Sequence, residues 1–160
     1  MKRSEIIHAI EHDHNLERWF GKSVDQSGTN WATEALLSAF QAVSGDNDFG
    51  TAVKVLGSTD TPNRTGKKEF DLHRLLIVET TAATTYIIRF IYGTGDDPDV
   101  EEALGHYTDS VYIREAANGR GAPCDLRMIP VPVGTKIWAK VKNASDSVTL
   151  DFYVGLHEYN

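Results

Sequence analysis

The chain of 160 residues is 41% hydrophobic and 24% charged, proportions that predict one soluble domain large enough to bury a core. A net charge of −7 argues against a nucleic-acid-binding surface, and a single cysteine, Cys124, excludes an intrachain disulfide. No apolar run reaches the length of about 18 residues that a membrane-spanning helix needs. Charged residues interrupt the apolar stretch near the N-terminus, so we expect that the chain has no signal peptide. We therefore expect it to be synthesised in a cytoplasm.

The first 48 residues predict helices. Ser4 is a suitable N-cap, and apolar residues follow it at helical spacing up to a stop at Gly21. A second helix is predicted over residues 31–43, where apolar side chains again recur every three or four positions. The apolar positions of the two helices are Ile6, Ile7, Ile10, Leu16, Trp19, Phe20, Trp31, Ala35, Leu36, Ala39, Phe40 and Val43. We therefore assign residues 1–48 to an α-helical N-terminal extension.

Residues 49–160 predict a β-rich domain. Segments with alternating, β-branched or aromatic residues occur at 51–56, 70–79, 85–92, 108–115, 126–133, 136–143 and 148–155. One short helix is predicted at residues 97–105, where Asp97 can cap, Pro98 suits the first turn and Gly105 suits the end. Strands and helices do not alternate as in a parallel sheet, so the fold class is mainly β, an antiparallel β-sandwich or jelly roll.

The last two strands alternate apolar and polar residues, and a short turn-like segment separates them. Joined as a hairpin with a loop at residues 144–147, they keep apolar side chains opposite apolar ones. That register also brings Trp138 beside Tyr153 and Lys140 opposite Asp151, which are favourable cross-strand pairs. We therefore predict that these two strands pair directly.

Two groups of residues carry side chains that could bind a metal ion. His8 and His12 are one helical turn apart, but no Glu follows His8 as in the metalloprotease motif. Residues 96–102 carry five acids, which suit calcium, yet they lack the spacing of an EF-hand loop. Helix capping and the helix dipole account for most of these acids, and the sequence leaves calcium there open. We predict that no metal is needed for folding.

Motifs for catalysis and nucleotide binding fail on spacing. Gly93-Thr94-Gly95 follows a strand, but the third glycine of a dinucleotide-binding fingerprint would fall at Pro98. No GxSxG nucleophile motif occurs, and Cys124 is not accompanied by a distinctive histidine-bearing motif. We predict that the protein is not an enzyme and has no cofactor.

The chain has more large apolar side chains than a domain of this size needs for its own core. Residues 70–79 and 85–92 carry them on both faces, which a two-layer sandwich would leave partly exposed. We therefore predict a homo-oligomer whose contacts use the N-terminal helices and one face of the sandwich. The interface candidates are Ile6, Ile10, Trp19, Phe20, Trp31, Trp138 and Tyr153.

Three stretches give the chain a resemblance to a known class: IRFIYGTGDDPDVEEALGHYT (88–108), VPVGTKIWAKVKNASDSVTLDFYVGLHEY (131–159) and LERWFGKSVDQSGTNWATE (16–34). In their residue patterns and in their order along the chain, these stretches resemble the small jelly-roll virion proteins of tailed bacteriophages, the head decoration or cement class. The resemblance implies a structural protein on the outside of an icosahedral head, often a trimer, that fastens the major capsid protein or another virion protein. It implies a virion location. The expected absence of nucleic-acid and membrane partners follows from the net charge and from the lack of a long apolar run. The helical extension departs from the extended N-terminal arm of many such proteins.

Two other functions stay open at this point. A receptor- or carbohydrate-binding virion module would need a cleft or a solvent-facing aromatic pair with polar neighbours. A glycan-active enzyme on a β-sandwich scaffold would need a facing pair of carboxylates. An exposed Trp or Tyr beside two carboxylates in a groove would favour either of these, whereas a large apolar interface would favour the capsid protein.

Overall fold

The computed structural model describes residues 18–23, 37–57, 68–82, 85–113 and 123–159. The described chain is mainly β with one short helix, which confirms the predicted fold class at that level. Its elements in chain order are β1 (Arg18–Phe20), β2 (Lys22–Ser23), β3 (Leu37–Ser38), β4 (Phe40–Val43), β5 (Gly45–Asp46), β6 (Val53–Leu56), β7 (Glu69–Thr80), β8 (Thr85–Gly93), α1 (Pro98–Ala103), β9 (Tyr107–Ile113), β10 (Pro123–Asp125), β11 (Val131–Pro132), β12 (Lys136–Asn143) and β13 (Thr149–Tyr159).

Two larger sheets are built around the longest strands. In the first sheet β13 pairs with β7, β1 and β4, and β7 also pairs with β10 and β11, all antiparallel. In the second sheet β12 pairs antiparallel with β8 and β6 and parallel with β5, while β9 pairs with β8. The short strands β2 and β3 pair with each other. The first sheet is therefore antiparallel and the second is mixed.

One hydrophobic core is shared by the two larger sheets. Its buried side chains include Phe70, Leu72, Phe152 and Val154 from the first sheet and Ile88, Phe90, Ile137 and Val141 from the second. Phe90 and Phe152 meet edge to face, with 6.0 Å between their ring centroids. Two sheets around a common core are the arrangement that a β-sandwich requires.

Strand β7 contains two bulges that change which of its residues face the core. Opposite β13, His73 and Val78 are extra residues without a register partner. Each bulge shifts the alternation by one residue, so the buried core positions of β7 run Phe70, Leu72, Leu75, Ile77 and Thr80. Most of the apolar residues that simple alternation would divide between the two faces of this strand therefore point toward the core.

The predicted pairing of the last two strands is wrong. Strand β12 lies in the second sheet, where Trp138 is opposite Ile91. Strand β13 lies in the first sheet, where Tyr153 is opposite Leu76. Residues 144–148 therefore lead from one sheet to the other. Alternation of apolar and polar residues identifies the core face of each strand. The same alternation is expected whether the next strand along the chain pairs with this strand or lies in the opposite sheet.

The predicted helices are wrong for the residues that the structure describes within residues 1–48. Strand β1 replaces the end of the first helix, β3 and β4 replace the end of the second, and both β1 and β4 pair with β13. In β4, Phe40 and Ala42 are buried while Gln41 and Val43 are exposed, which is a strand period. Phe40 and Val43, three residues apart, also fit a helical stripe, so the short pattern was ambiguous. Residues 1–17 and 24–36 lie outside the described residues.

Most of the remaining predicted elements agree closely with the structure. Strands β6, β7, β8 and β9 lie within a few residues of the predicted ones. Asp97 is the N-cap of α1 and accepts a hydrogen bond from the N–H of Asp99 at 2.9 Å. Gly105 follows the helix with a φ of 81°, a conformation that favours glycine. In the proline-containing segment at residues 126–133, only β11 is a strand.

Candidate functional site

The outer face of the second sheet, away from the core, carries a network of ion pairs. Arg89 of β8 donates to both carboxylate oxygens of Asp109 on β9, each at 2.8 Å, and to Glu102 of α1 at 2.6 Å. Lys140 of β12 donates to Glu102 and to Asp99, each at 2.6 Å. Because Glu102 is shared by two cations from neighbouring strands, the network holds α1 against the sheet.

The two glutamates of this helix, Glu101 and Glu102, are stabilised in their charged form. Burial alone would raise the pKa of Glu102, but hydrogen bonds from Lys140 and Arg89 outweigh burial, and the pKa is lowered. The pKa of Glu101 is also lowered, first by its hydrogen bond with His106 and then by the Gly95 N–H. The ion pairs that Glu102 makes with Arg89 and Lys140 are therefore at full strength above the ordinary glutamate pKa of about 4.3.

The loop between β8 and α1 closes around the side chain of Glu101, which is 7% exposed. Its carboxylate accepts a hydrogen bond from the N–H of Gly95 at 2.8 Å and lies 2.8 Å from Nδ1 of His106. A Cβ atom at Gly93 would lie 2.0 Å from Cδ of Glu101, so glycine is needed for this close approach. The Gly93-Thr94-Gly95 segment thus binds a carboxylate of its own chain.

The acidic run at residues 96–102 is engaged by the protein itself. Asp97 caps α1, as the sequence predicts. Asp96 pairs with Lys136 of β12, whose ammonium group also donates to two carbonyl oxygens of the loop. Lys136, Lys140 and Arg89 therefore engage three of these acids, Asp96, Asp99 and Glu102, in addition to the helix dipole.

Large apolar side chains remain exposed on the same side of the second sheet. Val100 and Leu104, one turn apart at α1, are 56% and 65% exposed, and Tyr107 and Val111 of β9 are 38% and 62% exposed. Tyr107 is opposite Ile91, which places it and Val111 on the outer face. We call Val100, Leu104, Tyr107 and Val111 the outer apolar surface. In the described part of the chain, β9 pairs only with β8, so this surface borders a sheet edge.

The predicted interface residues occupy different environments. Phe20 is 4% exposed and belongs to the core, and Trp138 is 5% exposed on the outer face beside Ile91. Neither side chain therefore offers a surface to a partner, and Trp138 cannot serve as a stacking platform for a sugar. Trp19 and Tyr153 are half-buried in the first sheet, and their interface role stays a prediction. The candidates Ile6, Ile10 and Trp31 lie outside the described residues.

A second group of polar side chains lies on the first sheet. Asp71 of β7 is directly opposite His157 of β13, and the ring of His73, the first bulge residue, stacks on His157 with 3.8 Å between centroids. One carboxylate oxygen of Asp71 and one ring nitrogen of each histidine lie within 4.8 Å of one another. Asp71 and His157 are 8% and 7% exposed. We call Asp71, His73 and His157 the Asp–His cluster.

A tyrosine orients the carboxylate of this cluster. The hydroxyl of Tyr159 donates to Oδ2 of Asp71 at 2.6 Å, whereas the buried Oδ1 makes no hydrogen bond within the described chain. Burial raises the pKa of Asp71, although the Tyr159 hydrogen bond and His73 act in the opposite direction. Burial, followed by the hydrogen bond to Asp71, also raises the pKa of Tyr159, so its hydroxyl stays a donor at neutral pH.

Sequence reasoning missed the Asp–His cluster. Asp71 and His73 belong to one strand and His157 to another that is far away along the chain, and only the β7–β13 register brings them together. The bulge at His73 adds a change of face that alternation does not predict. The signal in the sequence is weak, because Asp71 and His157 are two of several polar residues in strands β7 and β13.

No family model, curated protein or solved structure matches this chain. Within the described residues, none of the helical structure is long and apolar enough to cross a membrane.

Proposed function

We propose that this chain is a structural protein of a tailed-bacteriophage virion, a capsid decoration protein with jelly-roll connectivity and no catalytic role. In this proposal it lies on the outside of the head as a homotrimer and fastens neighbouring copies of the major capsid protein. The proposal rests on the resemblance of residues 16–34, 88–108 and 131–159 to that class. The mainly β fold with one shared core is consistent with it.

The outer apolar surface is the observation that carries the proposal. Large apolar side chains that remain exposed on a folded domain are typical of surfaces that bind another protein. Val100, Leu104 and Val111 are each more than half exposed, so packing against a second chain would remove much apolar area from water. We assign this surface to the contact between copies within the trimer.

The ion-pair network favours such a role because it makes the surface rigid. Arg89 and Lys140 hold α1 through Glu102, and Arg89 also holds β9 through Asp109. The side chains of Arg89, Lys140 and Glu102 are 17%, 12% and 19% exposed, so these pairs are better shielded from water than surface pairs. A surface that is already ordered loses less conformational entropy on binding.

Cosedimentation tests the proposal. Purified protein is mixed with heads that lack it, taken from the phage that encodes the chain, and the bound copies are counted after sedimentation. We expect saturable binding in multiples of three copies and heads that withstand higher temperatures. The double variant Leu104→Ser and Val111→Ser should bind about tenfold or more weakly, which is about 1.4 kcal/mol.

Val43→Ser is the matched control, because Val43 is 40% exposed but lies on β4 of the first sheet. It should bind as the wild type does. Wild-type protein that does not sediment with the heads would contradict the proposal. Specific binding to a bacterial surface glycan or receptor instead would support the alternative of a receptor- or carbohydrate-binding virion module.

A further inference from the structure

We propose that the Asp–His cluster binds one divalent transition-metal ion, with zinc as the best match, through Asp71, His73 and His157. The ligands would be one carboxylate oxygen and one ring nitrogen from each histidine. Imidazole nitrogen and carboxylate oxygen are ordinary zinc ligands in proteins. Calcium and magnesium prefer oxygen ligands alone, so two histidines select against them.

The sheet brings two of the three ligands together without any further folding. Asp71 and His157 are directly opposite in the antiparallel β7–β13 pair, so their side chains leave the same face at neighbouring positions. Both residues are more than nine-tenths buried, at 8% and 7% exposure, which restricts their movement. The pair therefore forms the fixed half of the proposed site.

His73 is the ligand that must move. In a tetrahedral zinc site with bonds of about 2.0–2.1 Å, the ligand atoms are about 3.3 Å apart. The three ligand atoms here lie within 4.8 Å of one another, so they must approach by about 1.5 Å at most. Two imidazoles on one tetrahedral ion cannot remain stacked at 3.8 Å, so the half-buried ring of His73 turns away from His157. Its position at a bulge allows that rotation.

The carboxylate of Asp71 is already arranged as a metal ligand. Its Oδ2 is held by the Tyr159 hydroxyl at 2.6 Å, which is the kind of outer contact that orients ligating carboxylates in metal sites. Its Oδ1 is buried and makes no hydrogen bond within the described chain. A buried carboxylate oxygen without a partner is costly, and a bound cation would remove that cost.

A metal bound here would anchor the C-terminal end of β13. It would join the segment His157–Tyr159 to β7 at Asp71 and His73, beyond the hydrogen bonds of the sheet. The inference is independent of the capsid proposal, because it uses the first sheet and none of the outer apolar surface.

Metal titration of the untagged, chelator-treated protein tests the site. Calorimetry with zinc chloride should show one tight site per chain, and cobalt(II) should give the visible absorption of a tetrahedral complex. His157→Gln should lose that site, and Asp71→Asn and His73→Gln should each weaken it tenfold or more. Tyr159→Phe removes only the outer contact and should weaken zinc binding about 10-fold to 100-fold.

Two matched controls separate this site from the other histidines. His106→Gln changes a histidine that also contacts a carboxylate, that of Glu101, but lies near the second sheet. The triple variant His8→Gln, His12→Gln and His14→Gln removes the histidines near the N-terminus. Both controls should keep one zinc ion and the cobalt spectrum of the wild type.

The proposal is overturned if wild-type protein binds no zinc at one ion per chain. It is also overturned if the triple variant abolishes binding while His157→Gln retains it. Circular dichroism of each metal-free variant shows whether it is folded. If His157→Gln does not fold, the zinc affinities of His73→Gln and Tyr159→Phe test the site instead. Unchanged zinc affinity in both variants overturns the proposal.

Discussion

Tyr159 donates a hydrogen bond to Oδ2 of Asp71 at 2.6 Å across the β13–β7 pair, while Oδ1 of the same carboxylate is buried without a hydrogen bond in the described chain. Burial raises the pKa of Asp71 above its ordinary value. The native state therefore holds this proton more tightly than the unfolded chain does. The stability that Asp71 contributes is complete below its unfolded pKa and is lost as the pH rises through its folded pKa.

Asp71→Asn should consequently stabilise the metal-free protein at neutral pH. The amide is neutral and can still accept the hydrogen bond from Tyr159, so the cost of burying a charge disappears. Melting temperatures in chelator should be higher than for the wild type at pH 7, and the difference should shrink as the pH falls through the folded pKa of Asp71. Asp151→Asn, which keeps the acceptor for Gln41 at an exposed site, is the control and should change little. A lower melting temperature for Asp71→Asn at pH 7 would contradict this account.

Gly93→Ala should destabilise the protein by about 1–3 kcal/mol, because it displaces a buried carboxylate from its hydrogen bonds. The new Cβ would lie 2.0 Å from Cδ of Glu101. Urea unfolding measures the change. In a Glu101→Ala background the same substitution should cost much less, since no carboxylate remains to be displaced. Equal costs in the two backgrounds would refute the close approach.

Glu102→Gln should reduce stability at neutral pH by about 1–3 kcal/mol, because Arg89 and Lys140 each lose a charged partner in a shielded place. The pKa of Glu102 is lowered, so its contribution is present above the ordinary glutamate pKa and is lost as the pH falls through the folded pKa. Wild type and variant should therefore converge in acid when melting temperatures are compared from pH 7 down to pH 3. A difference that stays constant over this range would exclude titration of Glu102 as the cause.

Phe20→Ser should unfold or strongly destabilise the protein, by about 3–5 kcal/mol, because Phe20 is 4% exposed in the core. Trp19→Ser is the comparison, since the neighbouring Trp19 is half-buried and not part of that core. It should lower stability less. Chemical denaturation of the two variants measures both effects. A Phe20→Ser protein that is as stable as the wild type would show that β1 does not hold its place on β13.

Chelation of metal should leave the chain folded. The β7–β13 pair includes residues 150–159 of β13, and its core side chains do not depend on the Asp–His cluster. The stability that a bound ion adds grows only with the logarithm of its concentration divided by its dissociation constant, and is about 2.7 kcal/mol at 100 times that constant. The circular dichroism of a β protein and a cooperative melt should persist in EDTA. Loss of the folded signal at room temperature on adding EDTA would contradict this expectation.

Local signals in the sequence identify most strands but not their partners. Alternation and β-branched content identify β7, β8, β12 and β13, and the cap at Asp97 identifies α1, because each depends on neighbouring residues. The partner of β12 depends on which long strands meet across the core, and a five-residue connection permits either a hairpin or a change of sheet. Trp138 therefore lies opposite Ile91 instead of Tyr153.

The functional residues were harder to predict because they depend on register. His157 is opposite Asp71 only after two bulges in β7 set the alignment. The outer apolar surface combines a helix with a strand that pairs on one side only within the described residues, and no local pattern joins the two. The aromatic residues Phe20 and Trp138 are interface candidates by sequence, yet both are buried within the chain.

Light scattering coupled to size-exclusion chromatography measures whether the chain assembles through its outer apolar surface. At micromolar concentration we predict a particle of three times the 17.7-kDa chain mass for the wild type and for Val43→Ser. The double variant Leu104→Ser and Val111→Ser should dissociate to single chains while keeping its circular dichroism. A wild-type particle with the mass of one chain, or a double variant that remains a trimer, would contradict the account.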